Sequence, residues 1–172
     1  MPPALPASLP GMPKQVAPFL MFTGNAEQAM TLYTSLFADG RIVDITRYGP
    51  DGPGPEGTVQ FASFSLAGQE FLCSDTFVSH GFTFTPSFSV WIETESEDEL
   101  ERLFAALGDG GAQLMPLGDY GFSRRFGWVN DRFGVSWRIV VKRHGGDLRV
   151  TSSPGDTRFQ VLLPLAEPTA PA

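Results

Sequence analysis

One cysteine and two histidines among 172 residues leave little material for the commonest side-chain chemistries. The lone Cys73 cannot close an internal disulfide, which points to a reducing compartment, with the cytoplasm as the expected location. Basic residues are scarce as well: 12 Lys and Arg stand against 19 Asp and Glu, a formal net charge of −7. No segment gathers them into the cationic face that a phosphate backbone requires, so nucleic acid is not an expected partner. Nor does any apolar run approach the roughly 20 residues of a membrane helix, and no membrane association is expected. The N-terminal MPPALPASLPGMPKQ lacks the positively charged start and apolar centre of a secretion signal, and prolines interrupt it at 2, 3, 6, 10 and 13. Residues 1–15 therefore read as a flexible lead, with Met12 a candidate start. The Gly/Asp/Ser/Pro-rich stretch 144–172 reads as an extension carrying an edge strand at 157–165 and a frayed tail.

What the chain does contain is written twice. Asn25 and Ser96 are favoured N-cap types, each followed three residues on by a capping-box partner, Gln28 and Glu99. Adding the 71-residue separation of those caps carries Ala29, Leu32, Tyr33 and Leu36 onto Leu100, Leu103, Phe104 and Leu107, so both helices show one apolar stripe. Glycines at 40 and at 108, 110 and 111 end them. Short apolar strands precede each helix, Phe19 to Thr23 and Phe88 to Glu93. Others follow, Ile42 to Tyr48 and Ala112 to Leu117. Each half closes on a hairpin: Thr58 to Leu66 with Gln69 to Cys73 around Ala67-Gly68, and Arg125 to Val129 with Val135 to Val140 around Arg132-Phe133-Gly134. The expected fold is α+β, two tandem βαβββ modules at 16–75 and 87–143 joined by a linker at 76–86. They form either two sheets or one curved sheet whose concave face would be the pocket.

PFLMFTGNAEQAMTLYTSLF (18–37) taken with GWVNDRFGVSWRI (127–139) resembles the PhnB-like branch of the vicinal oxygen chelate superfamily, which includes glyoxalase I, extradiol dioxygenases and bleomycin-resistance proteins. The resemblance covers about Pro18 to Val141. It implies a cupped, glyoxalase-like mixed sheet of eight strands with flanking helices, and a homodimer. It also implies, in metal-using relatives, a His opening the first strand of each half and carboxylates on each closing strand. Here the corresponding positions are Pro18, then Ser89 with Ser87 on the same strand face, then Leu72 and Arg138. None is an imidazole or a carboxylate, while a divalent site normally needs at least three N, O or S ligands. No metal and no cofactor are expected. The same branch often carries the label 3-demethylubiquinone-9 3-methyltransferase. Yet the strand, Gly-rich turn and helix of a Rossmann-like S-adenosylmethionine site are not evident, and GDGGAQ (108–113) follows a helix instead of opening one.

The expected ligand is a small aromatic or anionic metabolite, bound without a metal. A metal-dependent lyase, isomerase or dioxygenase-like enzyme and the labelled methyltransferase remain the alternatives. Candidate contacts are Ser74 and Asp75 at the end of the fourth strand, where an Asp is also ordinary turn chemistry. Ser87 and Ser89 are candidates at the abandoned ligand positions. In the loop 116–126, Tyr120 and Phe122 can cover a ligand while Arg124 or Arg125 holds a carboxylate. Arg138 alternates with Ser136 and Val140, opposite in facing to Trp137, and can bind an anion if that face is the cup. Trp137, in an all-apolar row, reads as core, and Trp128 stays undecided. Cys73 in its FLC context reads as packing. The acidic run from Glu93 to Glu101 overlaps a helix start, where the helix dipole favours negative charge.

Overall fold

The computed structural model describes residues 15–121, 123–141, 147–153 and 156–162. Two compact units divide between Phe82 and Thr83. In the first, β1 (Phe19–Phe22), α1 (Ala26–Leu36), β2 (Arg41–Arg47), β3 (Val59–Leu66) and β4 (Gln69–Asp75) follow one another. In the second, the same order recurs as β5 (Val90–Thr94), α2 (Glu97–Gly108), β6 (Ala112–Gly118), β7 (Phe126–Asn130) and β8 (Ser136–Val141). The fold is α+β, a βαβββ unit repeated. Of the two arrangements that the sequence leaves open, the hydrogen bonding gives two four-stranded sheets, ordered β1-β4-β3-β2 and β5-β8-β7-β6. In each, the first strand lies parallel to the last and the remaining pairs are antiparallel. The 157–165 stretch yields β10 (Asp156–Leu162), which pairs with β9 (Asp147–Ser153) as a separate hairpin; 163–165 lie outside the described residues. Among the described residues no helix is long and apolar enough to cross a membrane.

Each sheet has one face covered by its helix. In the second unit α2 buries Leu100, Leu103, Phe104 and Leu107, the four positions that its periodicity predicts. They pack against the row that alternation places together, Val129, Trp137, Ile139 and Val141, of which Trp137 is fully buried. Trp137 is therefore core, and its indole N–H donates to the Asp131 carboxylate at 2.8 Å. That carboxylate also accepts from Phe133 N and Val135 N and so holds the Arg132-Phe133-Gly134 turn closed. A Cβ on Gly127 would lie 2.4 Å from the Phe104 ring, so this position of β7 leaves room for the helix only as glycine.

In α1 the buried line is Ala26, Ala29, Met30 and Tyr33, with Leu32 and Leu36 only half-buried, so the stripe begins one turn earlier than expected. The reason lies at its first turn. Ser96 caps α2 through its own hydroxyl, which accepts from Glu99 N at 3.2 Å. Asn25, expected to do the same for α1, makes no side-chain cap bond. Instead Asp75, buried at the end of β4, accepts from Gly24 N at 2.8 Å and Ala26 N at 3.0 Å with one oxygen. Its other oxygen accepts from Val59 N at 3.1 Å. An ionised acceptor at the positive end of a helix outcompetes a neutral amide. It ties the N-terminus of α1 to the end of β4, and Ala26 is fully buried there.

Glycine is demanded at equivalent places in the two repeats. A Cβ at Gly40 would sit 2.1 Å from Thr34 O, and one at Gly111, 71 residues later, 2.0 Å from Asn130 O. The β3–β4 turn takes Ala67 and Gly68 through φ 48° and 79°, and Asp39 accepts from both of their N–H groups at 2.9 Å.

Candidate functional site

The face of the second sheet turned away from α2 carries a different set of side chains. Strand register puts Trp91 of β5, Arg138 of β8 and Trp128 of β7 side by side in one row across three strands. The Arg138 guanidinium carbon lies 4.1 Å from the Trp128 ring centroid, a cation–π contact. Its buried Nε has no hydrogen-bond partner, and among the described residues the guanidinium makes no ion pair. Arg138 is also the one basic residue in β5 to β8, and Glu93 the one acidic residue. A half-buried cation without a counter-charge is costly to keep, which marks the place where an anion is favoured.

The row is braced from beside and below. The Trp128 indole N–H donates to Ser136 Oγ at 2.7 Å, and Ser136 Oγ lies 2.8 Å from Ser89 Oγ. Ser89 also donates to Pro86 O at 3.2 Å, so the turn before β5 and the start of β8 jointly fix the Trp128 ring under Arg138. Trp91 keeps half of its surface open (50%) and donates to Glu93 Oε1 at 3.3 Å. Phe126, next along β7, is buried between Trp91 at 6.2 Å and Tyr120 at 5.7 Å between ring centroids. Asn130, opposite Ser136 in register, leaves its Oδ1 buried and without a hydrogen-bond partner.

Of the residues predicted from sequence, Arg138, Ser89 and Tyr120 thus meet on or beside this face. Arg125 does not: its guanidinium pairs with Glu101 of α2, on the helix side. Arg124 is exposed, and Phe122 lies outside the described residues. Ser87 is exposed before β5, with its Oγ 2.5 Å from Thr85 Oγ. Ser74 and Asp75 belong to the first unit, where Ser74 is half-buried and Asp75 has both oxygens engaged by backbone N–H groups. Cys73 is fully buried beside it, and burial together with the Asp75 charge pushes its thiol up to about 12, far from a working nucleophile.

A sequence family described as 3-demethylubiquinone-9 3-methyltransferase matches residues 14–140, spanning both modules and the whole of this face. The chain belongs to that family, the PhnB-like branch of the vicinal oxygen chelate proteins. A PhnB protein of Bacillus cereus is 52% identical, with 75% of this chain and all of that one covered and a TM-score of 0.73. Protein YjdN of Escherichia coli (strain K12) is 26% identical over 74% of this chain and 96% of its own length. A glyoxylase/bleomycin resistance protein/dioxygenase domain from Frankia sp. EAN1pec, at 16% identity and a TM-score of 0.54 over 78% of this chain, shares the fold.

Membership of this PhnB-like family raises the question of a metal, and the side chains at the corresponding positions do not fit one. Pro18 and Leu72 carry no donor atom, the Ser89 hydroxyl is engaged by Ser136, and Arg138 is a cation. Among the described residues no three His, Cys, Asp or Glu side chains gather into a possible metal cluster. The PhnB-like chain also contains two participants that sequence reasoning passed over, Trp91 and the Ser136 hydroxyl. A signal existed for the first: Ser89, Trp91 and Glu93 alternate along one strand, so Trp91 shares the face already assigned to Ser89. Alternation placed Ser136 on the Arg138 face, but nothing local marked its partners, which come from β7 and from the turn before β5.

Proposed function

We propose that this PhnB-like protein binds a small aromatic or anionic metabolite on the β5–β8–β7 face, without a metal, and that Arg138 holds the anionic group. The observation that carries the reading is the half-buried guanidinium over the Trp128 ring with no ion-pair partner among the described residues. In a partly desolvated setting an ion pair to such a group is stronger than in water, and it relieves the cost of the uncompensated charge. The metal-dependent alternative is disfavoured by the donor set at Pro18, Leu72, Ser89 and Arg138. For methyl transfer as the family description names it, S-adenosylmethionine would need a helix N-terminus or a Gly-rich turn with free N–H groups. The N–H groups of Gly24 and Ala26 at α1 are held by Asp75, and that of Glu99 at α2 by Ser96.

The experiment is a thermal-shift screen of small acids and quinols against the wild type and Arg138→Ala, since a ligand of the native state raises its melting temperature by mass action. Acids that stabilise the wild type and not the variant support the reading; stabilisation independent of Arg138, or by no acid at all, overturns it. Metal analysis and calorimetry with S-adenosylmethionine test the alternatives: stoichiometric zinc, nickel, iron or manganese favours the first, and saturable heat favours the second. The proposal includes a cytoplasmic homodimer. The edge strand β2 presents Ile42 and Val43 at 37% and 52% exposure, and light scattering on the purified chain gives the state directly.

A further inference from the structure

Resting on that reading of the Arg138 face, we propose that the ligand is a planar aromatic monocarboxylate whose carboxylate meets the terminal nitrogens of Arg138 while its ring stacks on Trp91. Three features of the row define this class. The first is the shape of the cation. Arg138 Nε is buried and the guanidinium carbon lies 4.1 Å from the Trp128 ring centroid, so the edge left for an anion is the terminal nitrogen pair. That edge offers two parallel N–H bonds to two coplanar oxygens.

The second is the shortage of positive charge beside Arg138. The Trp128 and Trp91 indole N–H groups donate to Ser136 and Glu93, and Ser136 and Ser89 bond to each other. A phosphate or phosphonate carries a third oxygen and, near neutrality, part of a second negative charge. The four strands supply one cation and, in Glu93, one anion, so a dianion would be left undercompensated.

The third is Trp91. It neighbours Arg138 in register, is 50% exposed, and is steadied by Phe126 at 6.2 Å and by its bond to Glu93. Exposed indole surface beside a guanidinium is a platform for an arene attached to a carboxylate. Ser136 is then a positioning residue, acting through Trp128 to hold the guanidinium at its height above the sheet.

Calorimetric titration of the full chain with 1-naphthoate, cyclohexanecarboxylate and phenylphosphonate tests the class. The variants are Trp91→Leu and Arg138→Gln, with circular dichroism to verify that each is folded. Naphthoate is expected to bind about tenfold more tightly than the saturated acid, and phenylphosphonate more weakly than either. Trp91→Leu should erase the preference for the arene while retaining binding of the saturated acid. Arg138→Gln should weaken naphthoate by at least about thirtyfold. Trp91→Leu, at an exposed position, remains informative if Arg138→Gln does not fold. Arg138-dependent binding of phenylphosphonate in preference to naphthoate would overturn the carboxylate class and leave the anion site standing. Equal binding of the two acids would overturn the stacking role of Trp91, and no Arg138-dependent binding of any of the three would overturn both readings.

Discussion

Replacing Asp75 by Ala is expected to be among the most damaging single changes in the first module, because one buried carboxylate serves three backbone donors. Its two oxygens accept from Gly24 N, Ala26 N and Val59 N, at the start of α1 and at the start of β3. Ala26 N and Val59 N are bonded in buried surroundings and Gly24 N in partly buried ones. A buried donor left unpaired costs about 1–3 kcal/mol. Two such donors, with a smaller contribution from the wetter third and from the lost charge at the helix terminus, give about 3–5 kcal/mol. With urea slopes of about 1–3 kcal/mol/M, the midpoint followed by far-UV circular dichroism should fall by about 1–5 M. Asp75→Asn keeps one oxygen for the α1 donors and turns an NH2 toward Val59 N, so its loss should be intermediate, about 1–3 kcal/mol. An Asp75→Ala protein within about 1 kcal/mol of the wild type would refute the claim that this carboxylate ties α1 to the sheet.

Three further outcomes follow from the same geometry. The Cys73 thiol, raised to about 12 by burial and then by the Asp75 charge, should be inert to a disulfide reagent at pH 8 in the native protein and react at once in denaturant. In Asp75→Ala the thiol should titrate lower, yet still above its ordinary value because desolvation is the larger cause; free-thiol reactivity in the native wild type would contradict the burial. The Glu27 carboxyl is lowered by its hydrogen bonds to Arg47, so the pair contributes stability above the unfolded carboxyl value and loses it as pH falls through the lower folded value. Glu27→Gln should accordingly cost a small, salt-sensitive amount at pH 7 and nothing at pH 2, and an equal cost at both would refute the assignment. Ala at Gly40 or Gly111 must push against a backbone carbonyl, so each should lose well over 1 kcal/mol in a melt, whereas Gly57→Ala, with open space but a φ of 83°, should lose about 1 kcal/mol from strain alone.

The architecture was legible because its signals are local and doubled. Capping residues, a 3.6-residue apolar period over 97–108 and two-residue alternation along 136–141 each act within a few residues, and each has a counterpart in the other half. A local rule that misled, Asn25 as a cap, was overridden by a carboxylate some 50 positions away. The same limit governed the candidate residues. Alternation predicts the facing of Arg138, while nothing near Arg125 in sequence announces Glu101 as its partner.

From its order of residues alone this protein determined its repeat, its two helices, its strands and the identity of the aromatic and basic side chains available on each face, since those depend on backbone period and neighbouring sterics. Only the tertiary structure decided that β5 lies beside β8, and hence that Trp91, Arg138 and Trp128 share a row. It alone decided that Asp75 serves the helix it does not adjoin in sequence. Strand pairing is settled by burial of the whole sheet against its helix, a sum over contacts distant along the chain, and no window of consecutive residues contains that sum.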